Sequence, residues 1–401
     1  MDMKRKQLLD RLLGRLLTLC LRPTAQILGL ILRRDHTLEL RDRVAVIKMM
    51  GGGSLILAYP ALLALRKRYP DVRFIFIGTP RVRPFAELLA LFDEFHDIVD
   101  DRGLWKLIWS SATALIRCAR VDTIIDLEIY SRLTTVFSAL TLARNRIGFY
   151  LDVAFWREGI ASHLFYLNRS TSMPLYYEQI ARSLDAPIFS MAEARAHFLA
   201  ANKFSRGERP HGERHRVGLG VLCSEIAYER QLTAEQWTTL LRRKFATERL
   251  ELNLFGSKPE INQMQSIEQQ LRQHMPGVTI NNFCGQLSLH DSTAILTQLD
   301  EFWSIDTGLL HIARLIGVPV TSFWGPTSPD RLILSTSNVR EVVCYQKIHC
   351  SPCVHNAEQP PCRGNNICMQ QHTKVVPQEE LNRPWIIGLH PPNRGDLVAS
   401  E

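Results

Sequence analysis

The sequence predicts an α/β protein built from two doubly wound domains, each a parallel sheet flanked by helices. Three observations carry this reading. Short apolar runs alternate with helical patterns twice along the chain, which is the mark of a parallel sheet with crossover helices. The two alternating stretches are separated by residues 202–216, rich in Arg, Glu, Gly and His and poor in apolar side chains, as a linker would be. The length of 401 residues suits two domains of ordinary size.

The segments follow in order. Residues 1–40 open with a run whose leucines, Leu8, Leu9, Leu12, Leu13, Leu16, Leu17, Leu19 and Leu21, cover most of a helix, while Lys4, Arg11, Arg15 and Arg22 gather on the remaining stripe. The charges Asp10, Arg11, Arg15 and Arg22 interrupt the run too often for a signal peptide or a membrane span. Pro23 is expected to break it into a bent helix or hairpin ending at Arg33 and Arg34, lying in a membrane interface, docked on the globular body or used for oligomerisation.

Residues 41–201 form the first domain. Arg43–Lys48 reads as a buried strand, followed by a glycine turn, a helix over Leu55–Arg68, a strand over Val72–Ile77, a helix over Phe85–Leu91 and a strand over Thr123–Leu127. The second domain, 217–345, repeats the scheme. Its strands are expected at Val217–Leu222, Leu250–Phe255, Val278–Phe283 and Phe302–Ile305, with helices at Thr233–Phe245, Pro259–His274 and His290–Leu299. A four-cysteine lobe occupies 346–376, and the tail 383–401, with Pro, Gly and Asn, reads as loose.

The most informative stretch is Asp306–His311. A strand delivers an acid, a hydroxyl and a glycine to the start of an apolar helix, Leu309–Ile316, and a strand over Val318–Phe323 follows. Free backbone N–H groups and the positive end of such a helix suit an anion, and Gly308 permits close approach. An ordinary capped helix would read the same way. The formal charge of +8 favours anionic partners, namely a nucleotide diphosphate, a phosphorylated glycolipid or an anionic membrane surface. No basic stripe interleaved with aromatics points to nucleic acid.

The block DTGLLHIA at 306–313, then GVPV at 317–320 and FWGPT at 323–327, resembles the donor-site signature of the heptosyltransferases, the ninth glycosyltransferase family. The resemblance runs from about Arg43 to about Met369 and is weakest between Tyr150 and Arg216. It implies the GT-B architecture, two Rossmann-like domains across a cleft, with nucleotide on the second domain and acceptor on the first. It also implies an inverting transferase that needs no catalytic metal and moves heptose from ADP-heptose, or a sugar from another nucleotide sugar, onto lipopolysaccharide or a related glycan. Its place would be the cytoplasmic face of a bacterial inner membrane.

Residue by residue, the resemblance makes Glu260 the acid that holds ribose and Leu287 the adenine contact through its main chain. Arg230 takes the place of a cation that neutralises the departing diphosphate. Thr307, Gly308 and Leu309 face the phosphates, His311 one turn into the helix either donates to a phosphate or packs, and Asp306 is expected to fix the turn by capping its N–H groups. Met49–Ser54 with Pro60 resembles the family's first glycine turn, but Ser54 stands where the family carries an Asp proposed as general base. A serine has no usable basicity near neutral pH. Asp126 or Glu128 are alternative bases, a protein acceptor is an alternative to lipid, and a catalytically inactive nucleotide-sugar-binding scaffold at the membrane is a further alternative. Arg132 and Arg146 are candidates for acceptor phosphates or for surface salt bridges.

Cys350, Cys353, Cys362 and Cys368 have the compact spacing of a four-thiolate site for structural zinc or iron, with free thiols as the other reading. Some family relatives that modify autotransporter proteins carry an iron–cysteine lobe. Cys344 reads as a bystander, and Cys20, Cys118, Cys223 and Cys284 read as core.

Overall fold

The computed structural model describes residues 3–31, 34–206, 214–223, 228–334, 339–354, 360, 362–363 and 365–375. The centre of the expected linker, Arg33, the Lys4 side chain and the tail 383–401 lie outside the described residues. The rest divide into two compact units, one up to Ser190 and one from Met191 onward. The helix Met191–Asn202 packs with the second unit, where Arg195 Nε donates to the Leu315 carbonyl at 2.9 Å.

The first unit contains strands β1 (Arg43–Lys48), β2 (Arg73–Gly78), β3 (Glu94–Asp97), β4 (Thr123–Asp126), β5 (Asn145–Tyr150) and β6 (His163–Tyr166). They form one sheet in the order β3-β2-β1-β4-β5-β6, every pair parallel. The second unit contains β7 (His215–Gly220), β8 (Leu250–Leu254), β9 (Thr279–Asn282), β10 (Glu301–Ile305), β11 (Val320–Trp324) and β12 (Glu341–Tyr345). Its order, β9-β8-β7-β10-β11-β12, is the same topology and again wholly parallel. Both sheets therefore have their topological switch point beside the first strand, between β1 and β4 and between β7 and β10. In open parallel sheets, ligands bind outside the carboxyl ends of the strands at that point.

Sequence chemistry explains the elements. The central strands are near-continuous apolar runs because helices cover both faces: β10 and β11 are buried throughout, as are all but the first residue of β1. Trp237, Trp303 and Phe323 fill the second core, with Phe323 5.4 Å from Trp237 and 5.7 Å from Trp303. Thr233 caps the helix Ala234–Lys244 in a reciprocal box with Gln236. The expected helix over Leu55–Arg68 is two helices, Gly52–Leu57 and Tyr59–Arg68, divided at Ala58 just ahead of Pro60.

Pro23 does not break the N-terminal segment, which is a single helix over Met3–Ile31. That helix is docked through one face. Asp10 accepts from the Ser131 hydroxyl at 2.7 Å and from the backbone N–H groups of Arg132 and Leu133 at 3.0 and 2.9 Å. A carboxylate borrowed from another helix thus caps the helix Arg132–Leu140. Gly14 is needed at the crossing, since a Cβ there would lie 2.5 Å from the Arg132 Cβ. No described helix is long and apolar enough to cross a membrane.

Candidate functional site

The strand–turn–helix at 301–317 forms as its residues dictate. β10 ends at Ile305, Thr307 is the N-cap of the helix Gly308–Ile316, and Gly317 closes that helix in the left-handed conformation. Thr307 Oγ1 accepts from Leu310 N at 3.2 Å and lies 3.1 Å from Ser304 Oγ. Capping by Asp306 was the expectation; the cap is Thr307, and the Asp306 carboxylate is turned to other partners.

Those partners are charged. Arg230 Nη1 donates to the Asp306 carbonyl at 2.7 Å and to Asp306 Oδ2 at 3.0 Å, and His311 Nε2 lies 3.3 Å from Asp306 Oδ1. Burial by itself would push the Asp306 carboxyl up. The Arg230 charge and the His311 bond outweigh it and bring the carboxyl down to about 2. Arg230 and His311 are thereby fixed at the switch point between β7 and β10. Arg230 Nε and His311 Nδ1 have no partner among the described residues. With the N-terminus of a nine-residue helix alongside, this end of the sheet has the donors an oligophosphate requires.

Arg230 sits on a short 3₁₀ turn, Tyr228–Arg230, that is held from the cysteine-rich lobe. Asn366 Nδ2 donates to the Glu229 and Gln231 carbonyls at 2.9 and 2.8 Å. No residue spacing signals this clamp, because its two halves are far apart in the chain.

Glu260 and Leu287 lie at neighbouring strand ends. Gly285, with φ +72°, donates its N–H to the Gly256 carbonyl at 3.0 Å and stitches the turns after β8 and β9 together. One Glu260 oxygen, Oε2, accepts from Ser257 N at 2.7 Å and Ser257 Oγ at 2.5 Å. That is a capping box, and Oε1 takes no part in it. The buried Cys223 thiol, pushed up by burial, is pulled down by Arg230 and pushed up by Asp306 and Glu260, so all three charges gather around the end of β7.

In the first unit the corresponding switch point carries Ser54, Glu128 and Asp126. Ser54 Oγ donates back to the Gly51 carbonyl at 2.7 Å within its own turn. Asp126 is enclosed by Arg157 at 3.1 Å, the Thr134 hydroxyl at 2.9 Å and the Glu128 N–H at 3.0 Å, and burial pushes its carboxyl up. Glu128 Oε1 accepts from Lys48 Nζ at 3.1 Å and from Met49 N and Met50 N at 2.8 and 2.9 Å, fixing the glycine turn. Its Oε2 takes part in none of these bonds.

Two arginines read as candidates for acceptor phosphates or for surface salt bridges are occupied otherwise. Arg132 lies over the Trp156 ring at 3.8 Å, beneath the N-terminal helix. Arg146 donates to the Ile160 and Ala143 carbonyls, both at 2.7 Å. Cys118, Cys223 and Cys284 are buried as expected, whereas Cys20 is exposed.

Cys350, Cys353, Cys362 and Cys368 do share one lobe. Burial pushes the Cys368 thiol up to about 12, and the neighbouring thiols push the same way; Cys353 is raised for the same two reasons. Yet among the described residues no three His, Cys, Asp or Glu side chains converge where an ion would be held.

Comparison with known proteins bears directly on the second unit. Residues 177–362 match the model of glycosyltransferase family 9 (heptosyltransferase). Solved structures share the fold at low identity. A family 9 glycosyl transferase from Veillonella parvula DSM 2008 is 16% identical with a TM-score of 0.62, over 88% of this chain and 97% of its own. The E. coli ADP-heptose lps heptosyltransferase II is 17% identical with a TM-score of 0.57, over 85% and 97%. E. coli heptosyltransferase WaaC, solved with ADP, is 15% identical with a TM-score of 0.57, over 75% and 90%. No curated protein sequence matches.

Proposed function

Since the chain carries a glycosyltransferase family 9 (heptosyltransferase) domain, we propose that it is an inverting transferase moving heptose from ADP-heptose onto a lipopolysaccharide or related cell-surface glycan. The observation that carries this is the Arg230–Asp306–His311 constellation beside the helix Gly308–Ile316. The acceptor oxygen attacks the anomeric carbon, the bond from that carbon to the diphosphate oxygen breaks, and ADP leaves with an added negative charge. Arg230 neutralises that charge, held in place by Asp306, and the Thr307–Leu309 turn binds the phosphates through its N–H groups. Glu260 holds the ribose through Oε1, and Leu287 meets adenine through its main chain. Two E. coli proteins of the same fold are heptosyltransferases, one of them solved with ADP, which supports the choice of donor.

The acceptor hydroxyl must lose a proton, and Ser54 cannot take it. Glu128 fills the role: Lys48 and the glycine turn orient it through Oε1, and Oε2 remains for the hydroxyl. The protein is placed at the cytoplasmic face of the inner membrane, with the N-terminal helix on the lipid.

Calorimetry with ADP, UDP, GDP and CMP, followed by turnover of ADP-heptose with a lipid extract, tests this reading. ADP should bind best and a glycolipid should become labelled. Absence of binding by all four nucleotides sinks the donor site, and preference for UDP discards heptose. Ser54 also favours a second reading, a nucleotide-sugar-binding scaffold without activity. Binding without turnover toward either lipid or protein acceptors would establish it, and labelled protein would move the acceptor from lipid to polypeptide.

A further inference from the structure

The first unit exposes a second apolar helix face. The helix Leu104–Arg117 touches its own core through Leu107 and Ala114, and turns Trp105 and Trp109 outward at 84% and 77% exposure. Ile108 and Ile116 share that outward arc and are exposed by half or more, and Leu104 at the helix start is exposed too. At about 100° per residue, Trp105, Trp109 and Ile116 cluster opposite Ala114, with Ile108 at the edge of the arc. An exposed face of this kind on a folded protein marks an interaction site.

The N-terminal helix presents a matching face. Its body side carries Asp10, Gly14 and Thr18; next around the helix come exposed Arg15 and Arg22, and then exposed Leu8, Leu12, Leu16 and Leu19. The two faces are tied to each other. Lys6 Nζ pairs with Asp100 at 2.5 Å, four residues ahead of Leu104, so the N-terminal helix and the tryptophan helix start from one salt bridge.

Charge identifies the occupant. Residues 1–34 hold eight Lys and Arg against two Asp, which is six of the eight excess positive charges of the whole chain. Around the tryptophan helix, Arg102, Lys106 and Arg117 are exposed as well. Apolar side chains including tryptophan, flanked by cations, are the composition of a surface that sits at the headgroup level of an anionic bilayer. A second copy of the chain would bring the same cations against themselves.

We propose that Trp105 and Trp109, with the leucine face of the N-terminal helix, form a two-helix docking surface for an anionic phospholipid bilayer. This rests on the membrane placement proposed above and adds the helix Leu104–Arg117 as its second anchor. Tryptophan supplies the depth and the N-terminal helix supplies most of the charge.

The test is co-sedimentation of the full chain with vesicles of phosphatidylcholine alone, or with about a quarter phosphatidylglycerol. Binding is expected to the anionic vesicles and to weaken with salt. Trp105→Ser with Trp109→Ser should lower partitioning by about tenfold or more, with the melting temperature and the ADP-induced shift unchanged. If that double variant partitions like the parent while Leu12→Ser with Leu16→Ser abolishes binding, the tryptophan helix is not an anchor and the membrane placement stands. If the parent binds neither vesicle, or forms a dimer that protects both tryptophans instead, the docking surface and the membrane placement both fall. The ADP shift reports separately on the donor site in every arm.

Discussion

Asn366 holds the Gln231 carbonyl at 2.8 Å, and the same amide group reaches the Glu229 carbonyl at 2.9 Å, so the cysteine-rich lobe sets the position of Arg230. Asn366→Ala leaves both carbonyls without this donor and frees the turn. The expected result is a loss of about 1–3 kcal/mol in unfolding free energy and a kcat lowered on the order of tenfold, with the KM for the nucleotide sugar changed less. Equilibrium unfolding and steady-state kinetics measure the two effects. Unchanged kcat in a folded variant would detach the lobe from catalysis.

Arg230 and Asp306 should fail together. Arg230→Ala removes a contact that strengthens as the diphosphate departs, so kcat should fall on the order of hundredfold. It also leaves a buried carboxylate without its cation, a loss of about 3–5 kcal/mol. Asp306→Asn strands Arg230 in the same way, so it should resemble Asp306→Ala in turnover, because Thr307 and not Asp306 caps the helix. Turnover by Asp306→Asn at the parent rate would refute the positioning of Arg230 by that carboxylate.

Acid should act in two stages. His372 is buried, its Nε2 lies 2.9 Å from the Trp324 carbonyl, and burial pushes its pKa down to about 4. An unfolded histidine titrates near 6.5. The unfolded chain therefore binds this proton first, and the associated stability, present above pH ~6.5, is lost as pH falls toward ~4, to a total of about 3 kcal/mol. Asp306 follows: its folded value of about 2 lies below the unfolded ~3.9, so its contribution is lost between pH ~4 and ~2. Melting temperature against pH should bend in both windows, and His372→Gln should flatten the first only.

Ser54→Ala should keep kcat within about twofold, since a serine does not act as base here. Glu128→Gln should lower kcat on the order of hundredfold while ADP affinity holds. Unchanged melting temperature in the variant separates a lost base from a loosened glycine turn. If Ser54→Ala is the dead variant and Glu128→Gln turns over, the assignment is reversed.

Much of the architecture was legible because local chemistry and tertiary demand agree. The buried run Glu301–Ile305, the cap Thr307 and the closing Gly317 each specify their own place, and the helix opened by Thr233 does so too. What escaped depends on partners distant in the chain. Asp306 looks like a cap until Arg230 arrives from 76 residues away, and Arg132 looks free until Trp156 and the N-terminal helix cover it. Pro23 stayed inside its helix although local propensity argues for a break, since docking on the body holds the segment helical. Strands β3, β5, β6 and β12 were not picked out, being short or mixed in pattern and stabilised by neighbours in the sheet.

The N-terminal helix has a consequence in time as well as in space. Asp10 is made early, but its partners Ser131, Arg132 and Leu133 come 121 to 123 residues later. At synthesis rates of about 5–20 residues per second, roughly 6–25 seconds pass before that seat exists. Through that interval the side of the segment that carries Asp10 and Gly14 lacks the surface on which it later docks. The nascent chain thus offers its basic, apolar end to its surroundings before either sheet is complete.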